Sequence, residues 1–505
     1  MKKKLTIVSL LVFLMTGLPT SSFFLSDNLT KIINNNQHSL AQLNFALAHE
    51  NIAALNLAWK HTRFHSEQWL ELAKILAKTQ GESAYQLAIY YQDQPTQAVF
   101  WYKSAIRLNY LDASISLAQH YFQQDELENA AEILTVLPTS LPQKLANKVI
   151  LLKTNIAINQ GKRAEIKQII DDYGEQLKKT LSGQLLLTDI DKYQLLPTQE
   201  QPTAPSLSCD NSIQLFATNL QHLKHLEGLI EKFRMQTLNG AVCFSPVRYI
   251  PINALDCSNE ADQAIYCNEL NWQPWASSIS TRYVGLMLPQ GGANVHLGIL
   301  YFDAQDSVDV VAHEISHLLG FIDEYPLVTG HVKCHVSQNE PFAQNISVLK
   351  TRYQGEQTTV RNTVLKQLAW AKHIKNSTPI MQAITTKTGK YYWQLGTPVE
   401  YKDEVGLFYA QTCENSAFQA KDSFRAFKPL SHRTKLQYFA LDFPQLYTNL
   451  SQENAKQYLM PSFHYNIALA YFKQDKLEQT HYWLEQAANW EIDLDRRDKA
   501  RQGRF

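Results

Sequence analysis

Charge of one sign is missing from this chain: 47 Lys+Arg face 47 Asp+Glu over 505 residues, for a formal net charge of zero. A protein whose main partner is nucleic acid or an anionic surface gathers Lys and Arg into a patch or stripe. Beyond Lys2, Lys3 and Lys4 this sequence has no dense basic block, so no nucleic-acid partner is expected. Glycine is scarce as well, at 18 residues, and none of it forms a Gly-rich phosphate loop. That removes the nucleotide enzymes whose loops cradle phosphate with free backbone N–H groups. Cysteine is absent before Cys209 and after Cys413. What remains is globular: 45% of residues are hydrophobic and 19% charged, a balance that buries a core. The length asks for several domains rather than one.

The six cysteines are confined to one stretch. An even count in one segment suits a disulfide-stapled domain in an oxidising compartment. Sequence proximity favours Cys209 with Cys243 and Cys257 with Cys267, which leaves Cys334 with Cys413. Six buried free thiols are the other reading; the spacing lacks the paired CxxC of a zinc ribbon. The N-terminus agrees with export. Lys2–Lys4 precede an apolar run from Leu5 to Leu18, small residues follow at Thr20, Ser21 and Ser22, and apolar character resumes at Phe23–Leu25. Residues 1–25 therefore read as a secretory signal peptide or as an uncleaved membrane anchor. Either places the bulk of the chain in the periplasm or outside the cell.

From 26 to 198 the sequence reads as helical. Apolar residues recur every three or four positions, as a helix burying one face requires. Ala84-Tyr85-Gln86-Leu87-Ala88-Ile89-Tyr90-Tyr91 is followed by a break near Pro95, then by Ala98, Trp101, Tyr102 and Ala105. Paired helices with small residues at their crossings and aromatics between them resemble the tetratricopeptide family and its Sel-type relatives. An internal echo supports repetition. Tyr121-Phe122-x-Gln124-Asp125-x-Leu127-Glu128 recurs as Tyr471-Phe472-x-Gln474-Asp475-x-Leu477-Glu478, so a similar helical pair is expected over 455–505. Such arms commonly present a surface to a protein partner. A Pro-containing linker, Gln199–Ser208, separates the first arm from a segment of different character. Residues 207–448 hold all the cysteines and strand-like runs such as Val247–Ile250 and Tyr283–Leu288. The expected architecture is multidomain: all-α helical repeat arms around an α+β domain.

That domain carries the run Asp306-Ser-Val-Asp-Val-Val-Ala-His-Glu-Ile-Ser-His-Leu-Leu-Gly320. Asp306 is a candidate helix cap, with Asp309 three residues on, and Gly320 is a helix terminator. His313 and His317 stand one turn apart and so share a face. Two imidazoles at that spacing bind one zinc ion, and Glu314 between them reaches a water as a general base without being a ligand.

Continued to Gly320 and Asp323, the pattern HExxHxxGxxD resembles the metzincin motif, in which glycine turns the chain so that a residue three further on meets the metal. Most metzincins carry His at that place; Asp323 is a competent zinc ligand. Asp323-Glu324-Tyr325 also resembles the IgA-peptidase-type bacterial metallopeptidases, whose spacing is one residue longer, so Glu324 is the alternative third ligand. The resemblance covers about residues 290–330 and implies a zincin-type fold, zinc as cofactor and a polypeptide substrate. It further implies that Gly291–Phe302 forms an edge strand on which substrate pairs, with Asn294, His296 and Tyr325 as candidate substrate-binding residues. Tyr325 and Tyr409 are candidate donors to an oxyanion. Met381 and Met460 are candidates for the family's Met-turn. The region around Val405–Tyr409 and Phe427–Leu430, where the IgA-peptidase type carries that turn, has no methionine. The resulting expectation is an exported zinc endopeptidase. The alternatives are an inactive repeat-type envelope scaffold and a zinc amidase acting on cell-wall peptides.

Overall fold

Alanine at helix crossings sets the packing of the N-terminal part. Ala84, Ala88, Ala98, Ala105, Ala113, Ala118 and Ala130 are all fully buried, and a side chain as small as a methyl lets neighbouring helices approach closely. The computed structural model describes residues 24–138, 140–196, 209–258, 260–261, 263–331, 334, 342–385, 389, 391–415 and 424–505. The signal-or-anchor segment, apart from Phe24 and Leu25, and the Gln199–Ser208 linker lie outside the described residues. Among the described residues no helix is long and apolar enough to cross a membrane.

The chain divides into two units, Met1–Ile156 and Ala157–Phe505. The first is wholly helical among its described residues, with consecutive helices packed in repeat-like pairs. Gly81–Tyr90 packs on Pro95–Arg107 and Leu111–Gln123 on Leu127–Thr135. Pro95 stands at the first turn of its helix, where a missing N–H costs nothing. Trp59, Trp69, Tyr102 and Tyr121 fill the spaces between pairs. The sequence echo has a structural counterpart. Asp125 and Asp475 both take a left-handed conformation, φ 60° and 56°, and the next N–H in each case returns to a tyrosine carbonyl, Tyr121 O at 2.9 Å and Tyr471 O at 3.2 Å.

The second unit is built on a twisted sheet of β1 (Ser212–Ala217), β2 (Cys243–Phe244), β3 (Arg248–Tyr249), β4 (Tyr283–Leu288), β5 (Asn294–His296) and β6 (Ile299–Asp303). The order is β2-β1-β4-β6-β5, with β3 extending the β2 edge along β1. All pairs are parallel except β5 with β6. β1 and β4 are buried at every residue, as strands covered on both faces must be. A second, antiparallel sheet orders β8 (Phe408–Tyr409), β9 (Phe424–Lys428) and β7 (Ser347–Lys350). Disulfides join Cys209–Cys243, Cys257–Cys267 and Cys334–Cys413, the three pairs that sequence proximity suggested.

The division between the units does not follow the composition boundaries. Helices Arg163–Leu177 and Leu181–Lys192 belong to the second unit, where Tyr249 bonds both Tyr193 and Ile158 through its N–H and hydroxyl. The C-terminal pair, Phe463–Phe472 and Leu477–Ala488, is no free arm. Its Phe463, Tyr465, Ile467 and Trp483 form one core with Phe216, Leu286, Leu288 and Tyr301, which share a face of the sheet. The apolar period that marks these helices as repeat-like is spent on burying a β-sheet.

Within this core His464 is 7% exposed and stacks against Trp483 and Trp490. Burial pulls its imidazole down to about 4. The folded state thus binds fewer protons than the unfolded one, so this stability is whole above pH 6.5 and is lost as pH falls toward 4. Urea unfolding of wild type should lose roughly 3 kcal/mol more between pH 7 and pH 4 than His464→Gln, whose residue 464 does not titrate. Equal losses would contradict the assignment.

Candidate metal centre

The site begins with a helix that is almost wholly buried. Val308–Leu318 follows β6 and hides Val311, Ala312, His313, Glu314, Ile315, Ser316 and Leu318. Its cap differs from the sequence expectation. Ser307, not Asp306, accepts from Val310 N, because Asp306 is turned back to accept from Asp303 N at 2.7 Å and Asp309 is held by Lys435 Nζ at 2.8 Å. The helix ends as expected. Gly320 has φ +90°, and a Cβ there would meet Tyr458 O at 2.2 Å, so both conformation and space demand glycine. The freed Leu318 carbonyl accepts from Met460 N at 2.9 Å and Tyr283 OH at 3.1 Å.

After that turn the chain brings Asp323 back onto the helix. Asp323 Oδ1 lies 3.1 Å from His313 Nε2 and 3.4 Å from His317 Nε2. Donor atoms of His313, Glu314 and His317 lie within 4.8 Å of one another. The other ring nitrogens face carbonyls: His313 Nδ1 meets Lys435 O at 2.8 Å and His317 Nδ1 meets Phe321 O at 3.1 Å. A carbonyl only accepts, so each Nδ1 carries hydrogen and a neutral ring leaves its Nε2 lone pair toward Asp323. Asp323 Oδ1 is buried and faces these two ring nitrogens. Three acceptors facing one another are reconciled by a proton on a ring or by a metal ion between them. A tetrahedral zinc with bonds of about 2.0–2.1 Å sets its donors roughly 3.3–3.4 Å apart, so the spacing fits.

A proton competes for the same place. Burial lowers the His317 imidazole, but Asp323 outweighs it and raises the group to about 9. The Asp323 carboxyl is held well below the usual range: burial opposes this, and the two imidazoles overcome it. Burial raises Glu314, with the histidines pulling the other way, which moves a carboxylate toward the range useful for a base. Burial, then Asp323, raises the Tyr325 phenol. Its ring lies parallel to that of His313 at 6.4 Å.

Other candidates fall elsewhere. Glu324 points away from the histidines into the core, onto Lys428 and Tyr447. Asn294 bonds Ile265 O and Gly292 O, and His296 bonds Asn466. Tyr409 packs against Phe427 and bonds Gln394. Met381 lies in strand Met381–Thr385, and the Met460 sulfur takes Gly298 N. The turn that does meet His313 contains Lys435 and a fully buried Leu436. Its contribution is a backbone carbonyl, which no side-chain motif announces.

No family model matches the chain, and no curated protein matches it. Among solved structures it is similar to Haemophilus influenzae LpoA, in a monoclinic form with two molecules per asymmetric unit, at 12% identity and a TM-score of 0.15. That match covers 60% of this chain and 62% of the other, so less than two thirds of that structure is spanned. A TM-score this low carries neither fold nor function across. The geometry brings Asp323, and not Glu324, against both imidazoles. Asp323→Ala should weaken zinc binding at least about tenfold in a chelator competition while the protein stays folded; unchanged affinity would remove Asp323 from the donor set.

Proposed function

We propose that the second unit is a zinc-dependent endopeptidase. The observation that supports this most strongly is the approach of one buried carboxylate oxygen to two Nε2 atoms whose Nδ1 partners are backbone carbonyls. His313, His317 and Asp323 would hold the ion. Zinc, when bound, supplies Lewis acidity toward a carbonyl oxygen and acidifies a water. Glu314, buried beside both histidines, takes the proton from the attacking water and returns it to the leaving amide nitrogen. Tyr325, 40% exposed and kept protonated by burial and Asp323, would donate its hydroxyl to the carbonyl oxygen.

An extended polypeptide suits the antiparallel edge strand β5, which a substrate backbone can pair with. Asn294 and His296 are committed to structural bonds, so recognition there rests on main chain. The paired helices of the first unit are the candidate surface for a protein partner. Export to the periplasm or beyond is supported by the three disulfides and by the Lys-then-apolar N-terminus.

Glu314→Gln should retain zinc and lose about 10²–10⁴-fold in hydrolysis of a casein-type substrate. Full activity in that variant would sink the mechanism. Hydrolysis of muropeptides with none of casein would replace the endopeptidase reading by the amidase.

A further inference from the structure

Beside the metal centre lies a buried ion pair that the chemistry above does not use. Glu324 and Lys428 keep 0% and 6% of their side chains exposed, with Nζ 2.7 Å from Oε2. Tyr447 OH donates to Glu324 Oε1 at 2.5 Å, and Lys428 Nζ also donates to His432 O at 2.9 Å. Asn345 donates to Ile322 O at 2.8 Å and accepts from Ile322 N at 3.0 Å, while Glu324 N donates to Leu436 O at 2.9 Å. Residues on both sides of Asp323 are thus fixed, and its own carbonyl accepts from Thr412 Oγ1 at 2.8 Å.

Removing two charges from water costs about as much as their attraction returns, and an apolar pair of similar volume often serves stability as well. Such a pair is better accounted for by orientation than by stability. Two adjacent carboxylates, Asp323 and Glu324, compete for one metal position, and a carboxylate left without a partner in the core would turn to the nearest cation. We propose that Lys428 and Tyr447 are positioning residues: by holding Glu324 in the core they present Asp323, and Asp323 alone, to His313 and His317. Lys428 lies 105 positions beyond Asp323 in the chain, at the end of β9, so the antiparallel sheet serves the metal centre directly. The inference rests on the metal-site reading above and names what fixes its third ligand.

The test is Lys428→Met, which frees Glu324, beside the double variant Glu324→Met/Lys428→Met, which removes it, in the full chain, each compared with wild type by melting, zinc affinity in a chelator competition, and the visible spectrum of the cobalt form. Lys428→Met should weaken zinc binding about tenfold or more, as for other groups that orient a ligand, and change the cobalt spectrum. The double variant, with Asp323 again the one carboxylate, should return toward wild type in both. A folded Lys428→Met with wild-type zinc affinity and cobalt spectrum overturns the proposal, as does a loss that the double variant keeps in full. Should Lys428→Met not fold, Tyr447→Phe decides in the same way: weakened zinc binding supports the clamp and unchanged binding overturns it. Folded wild type that takes up no zinc overturns the metal-site reading itself, before any variant is compared.

Discussion

Three buried acceptor atoms face one another only with a proton or a metal ion to share, and much of the second unit brings them together. His313 and His317 are turned inward by carbonyls behind their rings, and Asp323 is brought against both. Each imidazole is fixed in tautomer by its carbonyl, which is the usual means of orienting a metal-binding ring. The electrostatic cost of the convergence appears in the titration of the groups. Burial alone would neutralise His317, yet Asp323 raises it, and the imidazoles hold Asp323 down although burial opposes them.

The turn that delivers Asp323 is braced by parts of the chain remote in sequence. Gly320 leaves room for Tyr458, and Met460 N caps Leu318. Met460 O in turn accepts from Arg282, whose Nη2 lies 2.5 Å from Glu491 Oε1. Arg496 bonds the other oxygen of Glu491 and the carbonyls of Gln457 and Leu459. A buried Arg–Glu–Arg network is costly to desolvate, and here it ties the C-terminal helices to the end of the site helix. The echo of the helical arms in those residues is real at the level of backbone turns, while their apolar faces serve a sheet.

Local chemistry was legible in the sequence wherever it depends on spacing. His313 and His317 share a face because a helix repeats every 3.6 residues, Gly320 ends the helix because a left-handed residue is needed there, and β4 coincides with the run Tyr283–Leu288. The cysteine pairs followed from proximity. What spacing could not convey was which groups win a competition. Asp306 and Ser307 are both good caps, and a turn bond to Asp303 N, three residues back, takes the first. Asp323 and Glu324 are both good ligands by residue type, and Glu324 is taken into the core by Lys428, Tyr447 and Asn345, none of them a neighbour in the chain. The carbonyls of Phe321 and Lys435 leave no trace in residue type at all, and the core joining Phe463 to Phe216 is invisible to periodicity.

The central claim is that these atoms hold one metal ion, and elemental analysis of the purified full chain beside His313→Ala/His317→Ala tests it most directly. The account predicts about one zinc per wild-type chain and none in the folded double variant. A folded wild type without zinc, or a variant that keeps it, would contradict the account.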